Sequence, residues 1–260
     1  MTHNFNLDHR LFRNRIKGTT KRGELREVFV AYQQISGTEN ENFRNLWVAE
    51  TLGKLRGSVQ DSTLLDVGAG LSPYRKISED LGWQYLSHDF SAYTPGLENS
   101  GLQNESWIYV DHDFVCDILE IPSSTKADLV LCTEVFEHIP DPVRSFERIC
   151  NILNKDGYVV ITVPFLSLMH QAPFWFQSGL SPYWFEHWAK ENGIKVLELT
   201  VYGDYVDLMS QEVSRLVTSQ FKFRGLARMI SWVVNRSRSK LSAEILSSGG
   251  FGVAFIGQKL

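Results

Sequence analysis

Asp66, Val67, Gly68, Ala69 and Gly70 are the residues whose types and spacing point most directly to chemistry. They follow the apolar Thr63-Leu64-Leu65 run and precede Ser72-Pro73, which reads as a helix start. A strand that ends in an acid and a Gly-x-Gly turn, then opens a helix, is an arrangement for holding a nucleotide. Gly68 and Gly70 carry no Cβ, so the turn can be tight and a ligand can approach the backbone. The first amides of the following helix are unpaired and face a ligand anion.

Two details narrow the ligand. A dinucleotide fingerprint needs a third glycine three residues after Gly70, and Pro73 stands there. A carboxylate at Asp66 would repel a pyrophosphate, but it suits a cationic ligand group or the turn itself. A nucleoside bearing an amino acid, with an ammonium and no phosphate, therefore fits better than a nicotinamide dinucleotide.

Three further acids sit where strands are expected to end: Asp89, Asp117 and Glu134. In open α/β sheets the ligand lies outside the carboxyl ends of the strands, so four such acids form a candidate site. An acid at a strand end can equally cap a helix or face solvent. Two histidines follow strands on the same side. His138 lies in Phe136-Glu137-His138-Ile139-Pro140, and His170 lies among Phe165, Leu168, Met169, Phe174 and Trp175. A neutral imidazole near an acceptor can take a proton at neutral pH. Each histidine can instead order its own loop. Glu137 is expected to serve its loop.

The elements that position these residues alternate. Strands are expected at Thr63–Val67, Trp83–His88, His112–Cys116, Ala127–Cys132, Tyr158–Val163, Ile194–Val201 and Phe251–Ile256. Helices are expected over 24–35, 40–56, 73–81, 142–153 and from Ser181-Pro182 to Gly193. Asp141-Pro142 supplies an N-cap and first-turn pair, and Asn154-Lys155-Asp156-Gly157 reads as a turn. This alternation predicts a doubly wound, seven-stranded, mostly parallel α/β sheet. Residues 1–57 form an arm and helices that could cap the unit, and 58–260 form the core. A helical insertion before the last strand covers about 203–249.

Composition excludes several classes. Net charge is −4, so there is no global nucleic-acid signature. Cys116, Cys132 and Cys150 are odd in number and lack Cys-x-x-Cys spacing, so reduced thiols in a cytoplasmic protein are expected, with no disulfide frame and no metal site. No apolar run reaches the roughly 18 residues that span a membrane. The insertion is basic, with Arg215, Lys222, Arg224, Arg228, Arg236, Arg238 and Lys240. It suits an anionic substrate or a membrane surface, or is simply a solvated face. The aromatic runs Phe174-Trp175-Phe176 and Tyr183-Trp184-Phe185 could stack on a ring or sugar; packing in the core is the plainer expectation.

Over residues 63–202 the chain resembles the class I S-adenosylmethionine-dependent methyltransferases. LLDVGAG resembles that family's first motif, HDFS the acid ending strand two, and CDILEIP the adenine-side motif. ADLVLCTEVFEHIPDP resembles the fourth-strand motif and LNKDGYVVITVP the turn and fifth strand. Ser72 departs from the glycine that many members carry.

The resemblance implies a Rossmann-like methyltransferase fold and S-adenosyl-L-methionine as cofactor, with S-adenosylhomocysteine as product. Asp66 would order the turn and meet the methionine ammonium. Gly68, Ala69 and Gly70 would border the methionine and ribose. Asp89 would accept from both ribose hydroxyls, and Phe90 would border the adenine. Asp117 would meet the adenine amine beside Ile118, and Glu134 and Val135 would line the floor under the methionine. The acceptor is expected to be a small molecule, with a hydroxyl of a sugar or related compound preferred and His170, or its rival His138, as base. A non-catalytic module that retains the fold is the alternative, followed by a nicotinamide-dependent oxidoreductase.

Overall fold

The computed structural model describes residues 39–58, 62–95, 100–102, 108, 110–221, 229–230, 232–233, 236 and 238–260. The helix expected over 24–35 and the Lys222-Phe223-Arg224 stretch lie outside them. The chain order is α1 (Glu39–Arg56), β1 (Thr63–Val67), α2 (Arg75–Asp80), β2 (Gln84–Asp89) and β3 (Phe114–Val115). There follow β4 (Ala127–Thr133), α3 (Pro142–Ile152), β5 (Leu153–Pro164), α4 (Pro182–Glu191) and β6 (Ile194–Tyr202). The described chain closes with α5 (Tyr205–Phe221), α6 (Ala243–Ser247) and β7 (Gly252–Lys259).

The seven strands form one sheet in the order β3-β2-β1-β4-β5-β7-β6. β1 to β5 pair in parallel, and β7 enters antiparallel between β5 and β6. The winding reverses between β1 and β4, which is where open sheets of this kind hold ligands.

Both faces are covered, as parallel strands require. One face carries Leu65, Val67, Val130, Cys132, Val159, Ile161 and Phe255, packed under Phe146 of α3 and Phe185 of α4. The other carries Leu64, Leu129, Leu131 and Val160, packed under Trp47, Val48 and Leu52 of α1 and Ile77 of α2. Period-2 alternation sends Leu64 and Leu65 to opposite sides. Fully burying such side chains contributes about 1.5–3 kcal/mol each. Phe185 and Phe255 stack with ring centroids 5.1 Å apart, so the Tyr183-Trp184-Phe185 run serves the core through Phe185, while Tyr183 is exposed.

Three local expectations are corrected. Asn154-Lys155-Asp156-Gly157 lies inside β5 instead of forming a turn ahead of it. Leu153 pairs with Ala127 and Tyr158 with Leu129, so the intervening residues of β5 form a bulge. The turn chemistry survives there: Asp156 has φ 63°, and the Asn154 side-chain amide donates to Asp128 Oδ1 at 2.8 Å. The helix expected over 73–81 is shorter. Ser72 sits at φ 52° and Tyr74 is the N-cap, so helical geometry begins at Arg75. The strand expected at His112–Cys116 is reduced to Phe114–Val115. The last strand, in contrast, runs longer than expected, to Lys259.

Candidate active site

Asp89 ends β2 and organises the glycine turn. Its Oδ2 accepts from the Gly70 amide at 2.9 Å, and its Oδ1 accepts from the Ser91 amide at 2.7 Å. The Gly68 and Ala69 amides both donate to the His88 carbonyl, at 2.8 and 2.9 Å. The turn is thus clamped to β2 by three backbone donors. Each Asp89 oxygen retains acceptor capacity for a ligand.

The two glycines do different work. A Cβ on Gly68 would lie 2.3 Å from Cγ2 of Val135, whereas a Cβ on Gly70 would meet nothing within 4 Å. The space at Gly68, expected to admit a ligand, is filled by Val135. Gly70 borders the open side. Both have positive φ, 71° and 53°, which other residues adopt only with strain.

Asp66 lies one residue before the end of β1 and is 1% exposed. Its Oδ2 accepts from the Tyr85 hydroxyl at 2.5 Å, and its Oδ1 is buried without a hydrogen-bond partner. Burial raises its pKa to about 7; the nearby Asp89 also raises it, while Tyr85 and Arg75 act in the opposite sense. Sequence reasoning did not single out Tyr85 or Arg75. Arg75 stacks over the Tyr85 ring at 4.6 Å and donates to Ser87 Oγ at 3.0 Å. The readable signal was the alternation of Tyr85 and Ser87, which puts both on the β2 face beside Leu64 and Asp66.

The other predicted residues fall along the same carboxyl edge. Phe90 is 50% exposed and meets Phe174 edge-on, with centroids 5.7 Å apart. Asp117 caps the 3-10 turn Ile118–Glu120, accepting from the Leu119 amide at 2.8 Å in a capping box with Glu120. The Ile118 side chain is buried in the core. Glu134 follows β4 at φ 54°, and its Oε2 pairs with Arg44 of α1 at 3.1 Å. That pair joins residues far apart in sequence, and neither partner's surroundings announce it.

His138 and His170, read separately from sequence, are brought together with ring centroids 4.8 Å apart. His138 ends the 3-10 turn Phe136–His138 after β4, and His170 lies in the segment after β5. Two strands of contact hold these segments. Phe176 and Gln177 amides donate to the Glu137 carbonyl at 2.9 and 3.2 Å, and Nδ1 of His138 donates to the Phe174 carbonyl. Burial lowers the His138 pKa to about 4, helped by the facing His170 and opposed by the Phe174 carbonyl. Glu137 is 1% exposed, and burial holds its carboxyl well above the usual range, with Glu134 adding to the effect. Leu168 and Met169 flank His170 and are half-exposed, so the histidine sits beside an apolar surface on the open side.

The insertion is described in part. Met229, Trp232 and Val233 are exposed, and Arg236 lies over the Trp232 ring at 5.5 Å. Among the described residues no helix is long and apolar enough to cross a membrane.

Residues 40–199 match the family model described as a methyltransferase domain. The chain is 25% identical over 128 residues to the ubiquinone biosynthesis O-methyltransferase of Leptothrix cholodnii, covering 49% of this chain and 51% of that protein. It is 32% identical over 129 residues to the protein so described from Bordetella parapertussis, covering 49% of each. The matches thus span about half the length of these curated relatives. A SAM dependent methyltransferase from Archaeoglobus fulgidus aligns at 17% identity and a TM-score of 0.49, over 89% of this chain and 99% of that one. The domain match covers more than half of the chain, which belongs to the S-adenosylmethionine-dependent methyltransferase family.

Proposed function

We propose that this protein methylates a hydroxyl oxygen of a small molecule, a sugar or related compound, using S-adenosylmethionine bound along the carboxyl edge of β1, β2 and β4. The sulfonium supplies the electrophilic methyl group. The residues supply positioning and handling of the acceptor's proton. Asp66 suits the methionine ammonium: its buried Oδ1 lacks a partner, and a cation there would favour the ionised carboxylate. Asp89 has acceptor capacity for the ribose diol, and the space above Gly70 gives room for it. Gly68 and Ala69 hold the turn beside the methionine, Glu134 and Val135 lie beneath it, and Phe90, Asp117 and Ile118 surround the adenine.

The observation that carries the oxygen-acceptor reading is the facing pair His138 and His170 beside half-exposed Leu168 and Met169. An alcohol must lose its proton as the methyl arrives, and imidazole lone pairs on an apolar surface are suited to promote that loss. The curated relatives described as O-methyltransferases support the same atom. α1 and α5, described parts of the segments that flank the core in sequence, are assigned to the acceptor side.

The test is incubation with methyl-labelled S-adenosylmethionine and a panel of sugars, phenols, amines and carbon acids. Label recovered as a methyl ether supports the reading. Label confined to nitrogen or carbon products contradicts it.

A further inference from the structure

Among the described residues, Glu137, His138 and His170 bring three ligand atoms within 4.8 Å of one another. The orientation of both imidazoles is set from behind. Nδ1 of His138 faces the Phe174 carbonyl, and Nδ1 of His170 lies 2.9 Å from the Leu168 carbonyl. A carbonyl only accepts, so each Nδ1 carries the proton and each Nε2 presents a lone pair. Metal-ligating histidines are held in this way, by an acceptor on the far ring nitrogen.

The carboxylate gives an independent indication. Glu137 is 1% exposed, and its Oε2 is buried with no hydrogen-bond partner. Its Oε1 lies 3.8 Å from His138 Nε2, too long for a hydrogen bond. A buried carboxylate oxygen left without a partner is costly to ionise unless it meets a cation, and Oε2 is such an oxygen. Bonds of about 2.0–2.2 Å from one ion to imidazole nitrogen and carboxylate oxygen would close these separations with small side-chain rotations.

We propose that Glu137, His138 and His170 bind one divalent transition-metal ion of the zinc class, with the remaining coordination positions open toward the acceptor. Two imidazoles and one carboxylate suit zinc, iron(II), cobalt(II) or manganese(II) better than magnesium or calcium, which favour all-oxygen sets. Ion binding stands independently of the acceptor, whereas the ion's role rests on the oxygen-acceptor reading. An ion there lowers the pKa of the acceptor hydroxyl, whose proton leaves to solvent. The oxygen then forms the new C–O bond as the C–S bond breaks, and the sulfur keeps the electron pair. In this state the histidines act as ligands and leave proton uptake to water.

Full-length protein stripped with a chelator is re-equilibrated with zinc chloride, desalted and assayed for bound metal, with calorimetric titration of the same ion. The expected result is about one equivalent per chain, with affinity reduced by about tenfold or more in His170→Ala and Glu137→Gln. S-adenosylhomocysteine affinity within a few-fold of the parent shows that each variant is folded, and His170→Ala changes a half-exposed position. Cobalt(II) substitution should give visible bands in the parent that His170→Ala alters. Substoichiometric zinc in the parent, or equal zinc affinity in parent and His170→Ala, overturns the site. Zinc bound and lost as expected, with labelled methyl found on nitrogen, supports the site and rejects only the oxygen reading.

Discussion

The Tyr85 hydroxyl donates to Oδ2 of Asp66 at 2.5 Å across the β1–β2 pair, while Oδ1 of the same carboxylate remains buried without a partner. One hydrogen bond does not offset the loss of water around both oxygens, and the pKa rises from 3.8 to about 7. The fold therefore binds a proton here more tightly than the unfolded chain does. That contribution to stability is complete below pH 3.8 and is lost as pH rises through about 7. Asp66→Asn cannot exchange this proton. Urea unfolding of the unliganded protein from pH 4 to pH 8 should show the parent losing stability relative to Asp66→Asn, by on the order of a few kcal/mol. A difference that stays constant across that range would mean Asp66 ionises as readily in the fold as outside it.

Gly68 and Val135 give a paired prediction. Gly68→Ala would drive a Cβ to 2.3 Å from Val135 Cγ2 at a positive φ of 71°. We expect affinity for S-adenosylhomocysteine to fall, because the turn must shift relative to Asp89. Val135→Ala removes the clashing methyls, so the double variant should recover part of the loss. Strain of about 1–2 kcal/mol from the left-handed backbone should persist. Unchanged affinity in the single variant, or no recovery in the double, would contradict the packing account.

The parts legible from sequence were those encoded locally. Asp66, Asp89, Asp117 and Glu134 each lie within about two residues of a strand's end, and parallel strand geometry then sends all four to one edge. The Asn154–Gly157 signal was also local, and Asp156 does take a positive φ, but pairing of Leu153 with Ala127 carries the strand through it. Contacts that depend on folding left no local trace. Arg44 meets Glu134 only because α1 packs across the sheet, and Val135 fills the Gly68 space only because β4 lies beside β1. His138 and His170 could be named singly from the loops that carry them. Their juxtaposition depends on the Glu137 carbonyl accepting from Phe176 and Gln177.

His170 should matter to turnover more than to cofactor binding. Its ring faces that of His138, and its Nδ1 is engaged by the Leu168 carbonyl. His170→Ala is expected to lower the methyl-transfer rate by about 10²–10⁴-fold, the range for losing help in removing the acceptor's proton, whether that help comes from the imidazole itself or from an ion it holds. Affinity for S-adenosylhomocysteine should stay within a few-fold. His138→Ala should lower turnover as well, with added destabilisation because the half-buried ring also bonds the Phe174 carbonyl. Near-normal turnover in His170→Ala, measured at saturating acceptor, would remove it from the reaction.

The central claim is that the adenosyl cofactor lies against the clamped turn between β1 and β2, and calorimetric titration with S-adenosylhomocysteine tests it most directly. The parent protein should bind with 1:1 stoichiometry and should not bind NADH. Asp89→Ala should weaken the interaction at least tens-fold, since charge-assisted hydrogen bonds contribute about 1.5–3 kcal/mol each and the Gly70 and Ser91 amides lose their anchor as well. Absence of S-adenosylhomocysteine binding in the parent, or equal affinity in parent and Asp89→Ala, would contradict the account.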